Sequence, residues 1–147
     1  MPGFSLSHSG PWITCALSLQ AAPGIDIELK KPRRDFAPMS EAAFLVEEAA
    51  WLARQPPDQQ PAAFYQLWSG KEALFKLGAH VEPPPSLISP SGERRMAGEH
   101  WHLTALDHPA CAWVLATRTP TPQVTLHTLS NFGPDDWRCS PTADFPF

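Results

Sequence analysis

The sequence predicts an α+β domain, an antiparallel sheet with two helices packed on it. Three observations carry that expectation. Segments 4–8, 12–19 and 24–28 are β-prone, and the first and third alternate with the period of two that a half-buried strand needs. Segments 41–54 and 61–77 place apolar residues at helical spacing. Segments 100–106, 111–118 and 123–129 are again β-prone.

Phe4-Ser5-Leu6-Ser7-His8 alternates, and 12–19 reads as its partner strand. Ser9-Gly10-Pro11 between them is a turn signal, so the pair predicts a hairpin. Pro23-Gly24 opens the third strand, Gly24-Ile25-Asp26-Ile27-Glu28. Side chains at i and i+2 of a strand project from one face, so Asp26 and Glu28 point the same way. A basic run follows, Lys30, Lys31, Arg33 and Arg34. Ser40 suits the N-cap of a helix over 41–54, with Phe44, Leu45, Trp51 and Leu52 available to the core. Gln55-Pro56-Pro57-Asp58 ends it. Pro61 suits the first turn of the second helix and Gly78 its C′ position. Phe64, Leu67, Trp68, Leu74 and Phe75 mark that helix's apolar side. Gly70 inside it costs ~1 kcal/mol relative to Ala and marks either a close packing contact or local frustration. Residues 83–99 read as a long loop. The domain is expected over 1–130, with an irregular, proline- and aspartate-rich tail over 131–147.

A chain of 147 residues, 43% hydrophobic and 18% charged, is long enough for one domain with a core and is not a disordered composition. The formal net charge of −4 gives no bulk attraction for nucleic acid. The 18 prolines cluster between the predicted elements and at the chain end, as loop markers do. Cys15, Cys111 and Cys139 are odd in number and widely spaced, which argues for a reducing cytoplasm over a disulfide framework. No segment approaches the ~20 apolar residues of a membrane span, and the start lacks a signal-peptide pattern.

The chemistry lies in 24–28 and in Trp68-Ser69-Gly70-Lys71-Glu72-Ala73-Leu74-Phe75-Lys76. Glu72 and Lys76 lie one turn apart on one helix face. Alone, Asp26 and Glu28 would be a solvated strand face, and Glu72 and Lys76 an exposed pair worth ~0.3–0.5 kcal/mol. Together, Asp26, Glu28, Glu72, Lys71 and Lys76 could converge. Mg²⁺ takes one or two carboxylates plus waters and substrate phosphates, and lysines beside it suit phosphate oxygens. The pattern points to a metal-assisted reaction on a phosphate compound. His100, His102, His108 and Cys111 lack a recognised zinc-ligand spacing.

These segments, in this order, resemble the 4′-phosphopantetheinyl transferase superfamily, in particular the C-terminal half of its surfactin-synthetase-activating type. The likeness rests on Phe4-Ser5-Leu6-Ser7-His8-Ser9, on Gly24-Ile25-Asp26-Ile27-Glu28, and on the run from Phe64 to Lys76. Phe36-Ala37-Pro38-Met39-Ser40-Glu41 adds the start of an intervening helix. Each piece is weak alone; their order and spacing make the signal strong. The resemblance implies Mg²⁺-dependent transfer of the phosphopantetheine arm of coenzyme A to a serine of an apo acyl or peptidyl carrier protein. It implies Asp26, Glu28 and Glu72 as metal ligands, Lys71 and Lys76 at the phosphates, and Ser7 and His8 near the coenzyme A 3′-phosphate. Glu72 or Glu28 would take the serine proton, and Lys76 would neutralise the leaving phosphate. The basic run reads as solvated charge or as a surface for an acidic carrier protein. The larger type has two similar halves with the site between them, and this chain begins about where the second half begins. The expectation is therefore a homo-oligomer or an incomplete chain. The alternative is a non-catalytic remnant that binds coenzyme A or a carrier protein.

Overall fold

Alternation in the first residues is realised as a hairpin. The computed structural model describes residues 1–31, 35–78, 93–96, 99–106, 108–119, 123–131 and 137–141. In it β1 (Gly3–Ser9) and β2 (Trp12–Ser18) pair antiparallel, from Gly3 opposite Ser18 to Ser9 opposite Trp12. Gly10-Pro11 forms the two-residue loop. Gly10 has a φ of 57°, a left-handed value that glycine takes without steric cost.

β3 (Gly24–Leu29), β4 (Glu93–Met96), β5 (Glu99–Leu106) and β6 (Cys111–Thr117) form an antiparallel sheet in the order β3-β6-β5-β4. Asp26 lies opposite Val114 and Glu28 opposite Ala112. Opposed residues share a face, so the two carboxylates point to the side where Val114, Ala112 and Ala116 enter the main core. Ile25 and Leu115 point the other way, into a smaller core with Leu106. β7 (His127–Asn131) and β8 (Trp137–Pro141) make a separate two-stranded sheet.

Helices α1 (Ala37–Ala43), α2 (Val46–Ala53) and α3 (Gln60–Lys76) cover the main-core face. α3 runs along β3 and β6 with Phe64, Leu67 and Leu74 buried. Phe36 and Phe44 stack and tilt against Phe64, at ring distances of 4.5 and 5.3 Å, and so dock α1 and α2 on α3. Gly78 follows α3 with a φ of 77°, the C′ conformation its position predicts. Gly24 has a different constraint. A Cβ there would drive into the carbonyl oxygen of Ala73 and lie 2.7 Å from the Leu77 nitrogen. The missing side chain lets the start of β3 abut the last turn of α3.

Several expectations change. The single helix over 41–54 is two helices, broken where Phe44 and Leu45 are extended. Phe44 leaves the helix to bury its ring, and the Glu48 carboxylate accepts the Leu45 N–H, restarting the helix as α2. Ser40 is not an N-cap. It lies inside α1, buried, with its hydroxyl donating to the Phe36 carbonyl. Phe75 is 58% exposed, about 100° round the helix from Leu74 and off the buried face. Residues 93–96 form β4, because pairing with β5 satisfies a backbone that composition alone leaves without a partner. Residues 83–92 of the expected loop lie outside the described residues, as do Arg33 and Arg34. The last predicted strand starts at His127 instead of 123, and 137–141 of the expected irregular tail pairs with it. No helix among the described residues is long and apolar enough to cross a membrane.

Candidate active site

Asp26 is the centre of the arrangement. It is 4% exposed, on the face of β3 turned to α3. Its Oδ1 accepts two bonds of 2.8 Å, one from the Ser7 hydroxyl of β1 and one from the Lys76 ammonium of α3. Lys76 also donates to the Ile25 carbonyl at 3.1 Å. An ammonium has three protons, so one remains. Asp26 Oδ2 is buried and has no hydrogen-bond partner among the described residues. Such an atom calls for an explanation, because a buried carboxylate oxygen without a partner is costly.

Glu28 lies two residues on, half-buried, with Oε2 accepting from the Ser9 hydroxyl at 2.9 Å. Glu72 comes from α3, one turn before Lys76. Burial pushes the Glu72 carboxyl above its ordinary pKa. The Asp26 charge pushes it further, Lys76 pulls it back, and Glu28 adds a smaller upward push. The three carboxylates thus lie within one another's field. They do not close around a common point: among the described residues no group of three His, Cys, Asp or Glu side chains is arranged as a metal cage. The arrangement is an open acidic site with one lysine inserted.

Lys71 faces elsewhere. It is five residues before Lys76, about 140° round the helix. Its ammonium pairs with Glu48 of α2 at 2.8 Å and sits 5.8 Å from the centre of the Phe44 ring. Glu48 is buried and also caps α2, so Lys71 ties α2 to α3 in this structure. Ser7 and His8 separate as well. They are adjacent on β1, so Ser7 turns inward and is buried while His8 turns outward and is exposed. A cavity of about 190 Å³, lined by Lys30, Gln66, His108 and Cys111 among others, lies toward the other end of α3 from Glu72.

Sequence reasoning passed over Ser9, which belongs with Ser7 at the carboxylates, and Glu48, which belongs with Lys71; Ser5 holds only the backbone of β3. The signal for the serines was present: three hydroxyls alternate in 5–9 with the same period as the carboxylates in 24–28. Nothing local marks Glu48 as the partner of Lys71, which is 23 residues away.

The sequence model of the 4′-phosphopantetheinyl transferase superfamily matches residues 22–89. That segment holds β3, α1, α2 and α3, and so Asp26, Glu28, Glu72 and Lys76. The chain is 41% identical over 73 residues to the 4′-phosphopantetheinyl transferase AcpT of Salmonella typhimurium, 50% of this chain and 38% of that protein. It is 47% identical over 74 residues to the 4′-phosphopantetheinyl transferase psf-1 of Bacillus pumilus, 50% of this chain and 30% of that protein. It is 40% identical over 73 residues to the 4′-phosphopantetheinyl transferase Sfp of Bacillus subtilis, 50% of this chain and 31% of that protein. The matches therefore span half of this chain and about a third of each relative. The resemblance that the motifs announce holds over that stretch.

Proposed function

We propose that this chain carries the site for Mg²⁺-dependent transfer of 4′-phosphopantetheine from coenzyme A to a serine of an apo acyl or peptidyl carrier protein. One observation carries the reading. A buried aspartate of the segment shared with phosphopantetheinyl transferases is held through one oxygen by a lysine of that segment and by Ser7 of β1, while its other oxygen has no partner among the described residues.

The residues fit a hard cation. Asp26 Oδ2 supplies an unpartnered anionic oxygen, and Glu28 and Glu72 stand in its electrostatic neighbourhood. Mg²⁺ is usually held by one or two carboxylates with waters and substrate phosphates, so an open acidic site suits it better than a closed cage. Bound there, Mg²⁺ would supply positive charge to the pyrophosphate of coenzyme A as the bond breaks.

The chain's own residues do the rest. The carrier serine oxygen forms a bond to the phosphorus that bears the pantetheine arm. The bond from that phosphorus to the bridging oxygen breaks, and adenosine 3′,5′-bisphosphate leaves with the electron pair. Glu28 or Glu72 takes the serine proton. The remaining proton of Lys76 meets the negative charge growing on the leaving phosphate. His8, exposed on β1, is the contact proposed for the 3′-phosphate. Lys71, the other lysine proposed at the phosphates, is paired with Glu48 in this structure and would have to leave that pair to meet a phosphate.

A second wall for so open a site would come from another copy of this chain or from a further domain. The exposed apolar side chains of Phe4, Leu6, Ile13 and Leu17 on the hairpin support an association of that kind. The free thiols of Cys15 and Cys111 suit a cytoplasmic reaction. The test is to incubate the chain with coenzyme A, Mg²⁺ and an apo carrier protein and to weigh the carrier. Gain of one phosphopantetheine mass, stopped by chelation, is the expected result. Binding of coenzyme A or carrier without transfer, from folded protein, would replace this reading with the binding-remnant alternative.

A further inference from the structure

The serines of β1 make two kinds of contact with β3, to its backbone and to its carboxylates. Ser5, Ser7 and Ser9 lie on one face of the strand, turned to β3. Their hydroxyl oxygens accept the N–H groups of Ile25, Ile27 and Leu29 at 3.1, 3.3 and 3.0 Å. Alternate N–H groups of a strand point to opposite edges. β6 occupies one edge of β3, and these three N–H groups point to the other. A hydroxyl also has one proton to give. Ser7 gives its proton to Asp26 Oδ1 at 2.8 Å, and Ser9 gives its proton to Glu28 Oε2 at 2.9 Å. Each therefore grips the backbone and the side chain of β3 at once. Ser5 accepts in the same way, but the matching residue is Gly24, which has no side chain to receive a proton.

We propose that Ser7 and Ser9 are positioning residues: their hydroxyls fix the Asp26 and Glu28 carboxylates so that Asp26 Oδ2 is turned to a bound cation. This rests on the Mg²⁺ reading of the site. The sole proton of Ser7 is spent on Asp26, and the side chain is buried, so it has none for a phosphate oxygen of coenzyme A. Ser7 acts on the reaction through Asp26. Without it, Oδ1 keeps only Lys76, and the carboxylate can rotate. Outer groups that orient a metal-binding carboxylate are typically worth about 10–100-fold in metal affinity.

Ser5 provides the control, because its backbone role is the same and it has no carboxylate. The experiment compares Ser5→Ala, Ser7→Ala, Ser9→Ala and Ser7→Thr in the full chain. Mn²⁺ is the probe, read by its electron paramagnetic resonance, with folding followed by circular dichroism. Ser7→Ala is expected to weaken Mn²⁺ binding about 10–100-fold and Ser9→Ala by a smaller factor. Ser5→Ala stays within about twofold, and Ser7→Thr, which keeps the hydroxyl, restores most of the affinity. A double-mutant cycle in metal-free buffer provides a second readout. Ser7→Ala and Asp26→Ala should couple by about tenfold in the folding equilibrium, and Ser5→Ala and Asp26→Ala should not. Equal losses of Mn²⁺ affinity in Ser5→Ala and Ser7→Ala would overturn the positioning role and leave the metal reading standing. Zero coupling between Ser7 and Asp26 would overturn it too. No Mn²⁺ binding by the folded, unsubstituted chain would instead sink the metal reading, and the positioning role with it.

Discussion

The two faces of β1 are reversed relative to an ordinary half-buried strand. The inner face carries Ser5, Ser7 and Ser9, with Ser5 and Ser7 8% exposed. The outer face carries Phe4 and Leu6, 63% and 54% exposed, and across the hairpin Ile13 and Leu17, 79% and 81% exposed. Burial normally sorts apolar residues inward because removing their surface from water is favourable. Here the inner face is reserved for hydroxyls, because it must satisfy three backbone N–H groups and two carboxylates. The apolar residues are displaced outward, where they need a cover of their own. The inner face is turned to the candidate site, and the outer face leaves its apolar side chains exposed.

The strongest way to break the inner half of this contrast is Asp26→Ala. Transfer to an apo carrier should be lost, while circular dichroism still shows a cooperative melt. Severe unfolding of this variant in metal-free buffer would instead mark Asp26 as a structural anchor. Gly24→Ala comes next. It forces a methyl into the backbone of α3 and should lower stability by about 1–3 kcal/mol, the usual range for overpacking. Urea denaturation measures this, and an unchanged midpoint would show that β3 and α3 do not meet so closely. The outer half should respond least in stability. Ile13→Lys combined with Leu17→Lys should change stability by no more than about 0.5 kcal/mol each, as exposed positions do. Sedimentation should nevertheless show the unsubstituted chain associating and the double variant not. A unsubstituted chain that stays monomeric at high concentration would remove the case for a self-partnered face.

This contrast also shows what could be read in advance. The hairpin, β3 and α3 are legible because each is set by local chemistry: period-two alternation, a glycine turn, and Pro61 and Gly78 bracketing a helix. That Asp26 and Lys76 converge across 50 residues follows from motif order, through the resemblance, but their direct ion pair does not. The break at Phe44 and Leu45 is not legible, since the sequence there has no glycine or proline and the break is driven by a ring docking on Phe64. The partners of Lys71 and Ser7 in this structure are not legible either. In the sequence Lys71 stands beside Glu72 and Ser7 beside His8. The helix turn and the strand pleat send each pair's members in different directions, and only tertiary packing reveals Glu48 and Asp26 as their partners.

The serine contacts have a further consequence, for solubility. β3 is the last strand of its sheet, and such a strand presents N–H groups that can recruit a strand from another chain, the first step toward aggregation. Here the N–H groups of Ile25, Ile27 and Leu29 are stoppered by side chains, so β1 lies beside β3 without lengthening the sheet. The stopper is three hydroxyl contacts deep, weaker than a full backbone ladder. The hairpin could therefore lift away as a unit at lower cost than the sheet comes apart. Each such opening would uncover a bare sheet edge together with the carboxylates, so conditions that loosen the hairpin should favour clumping before they favour unfolding.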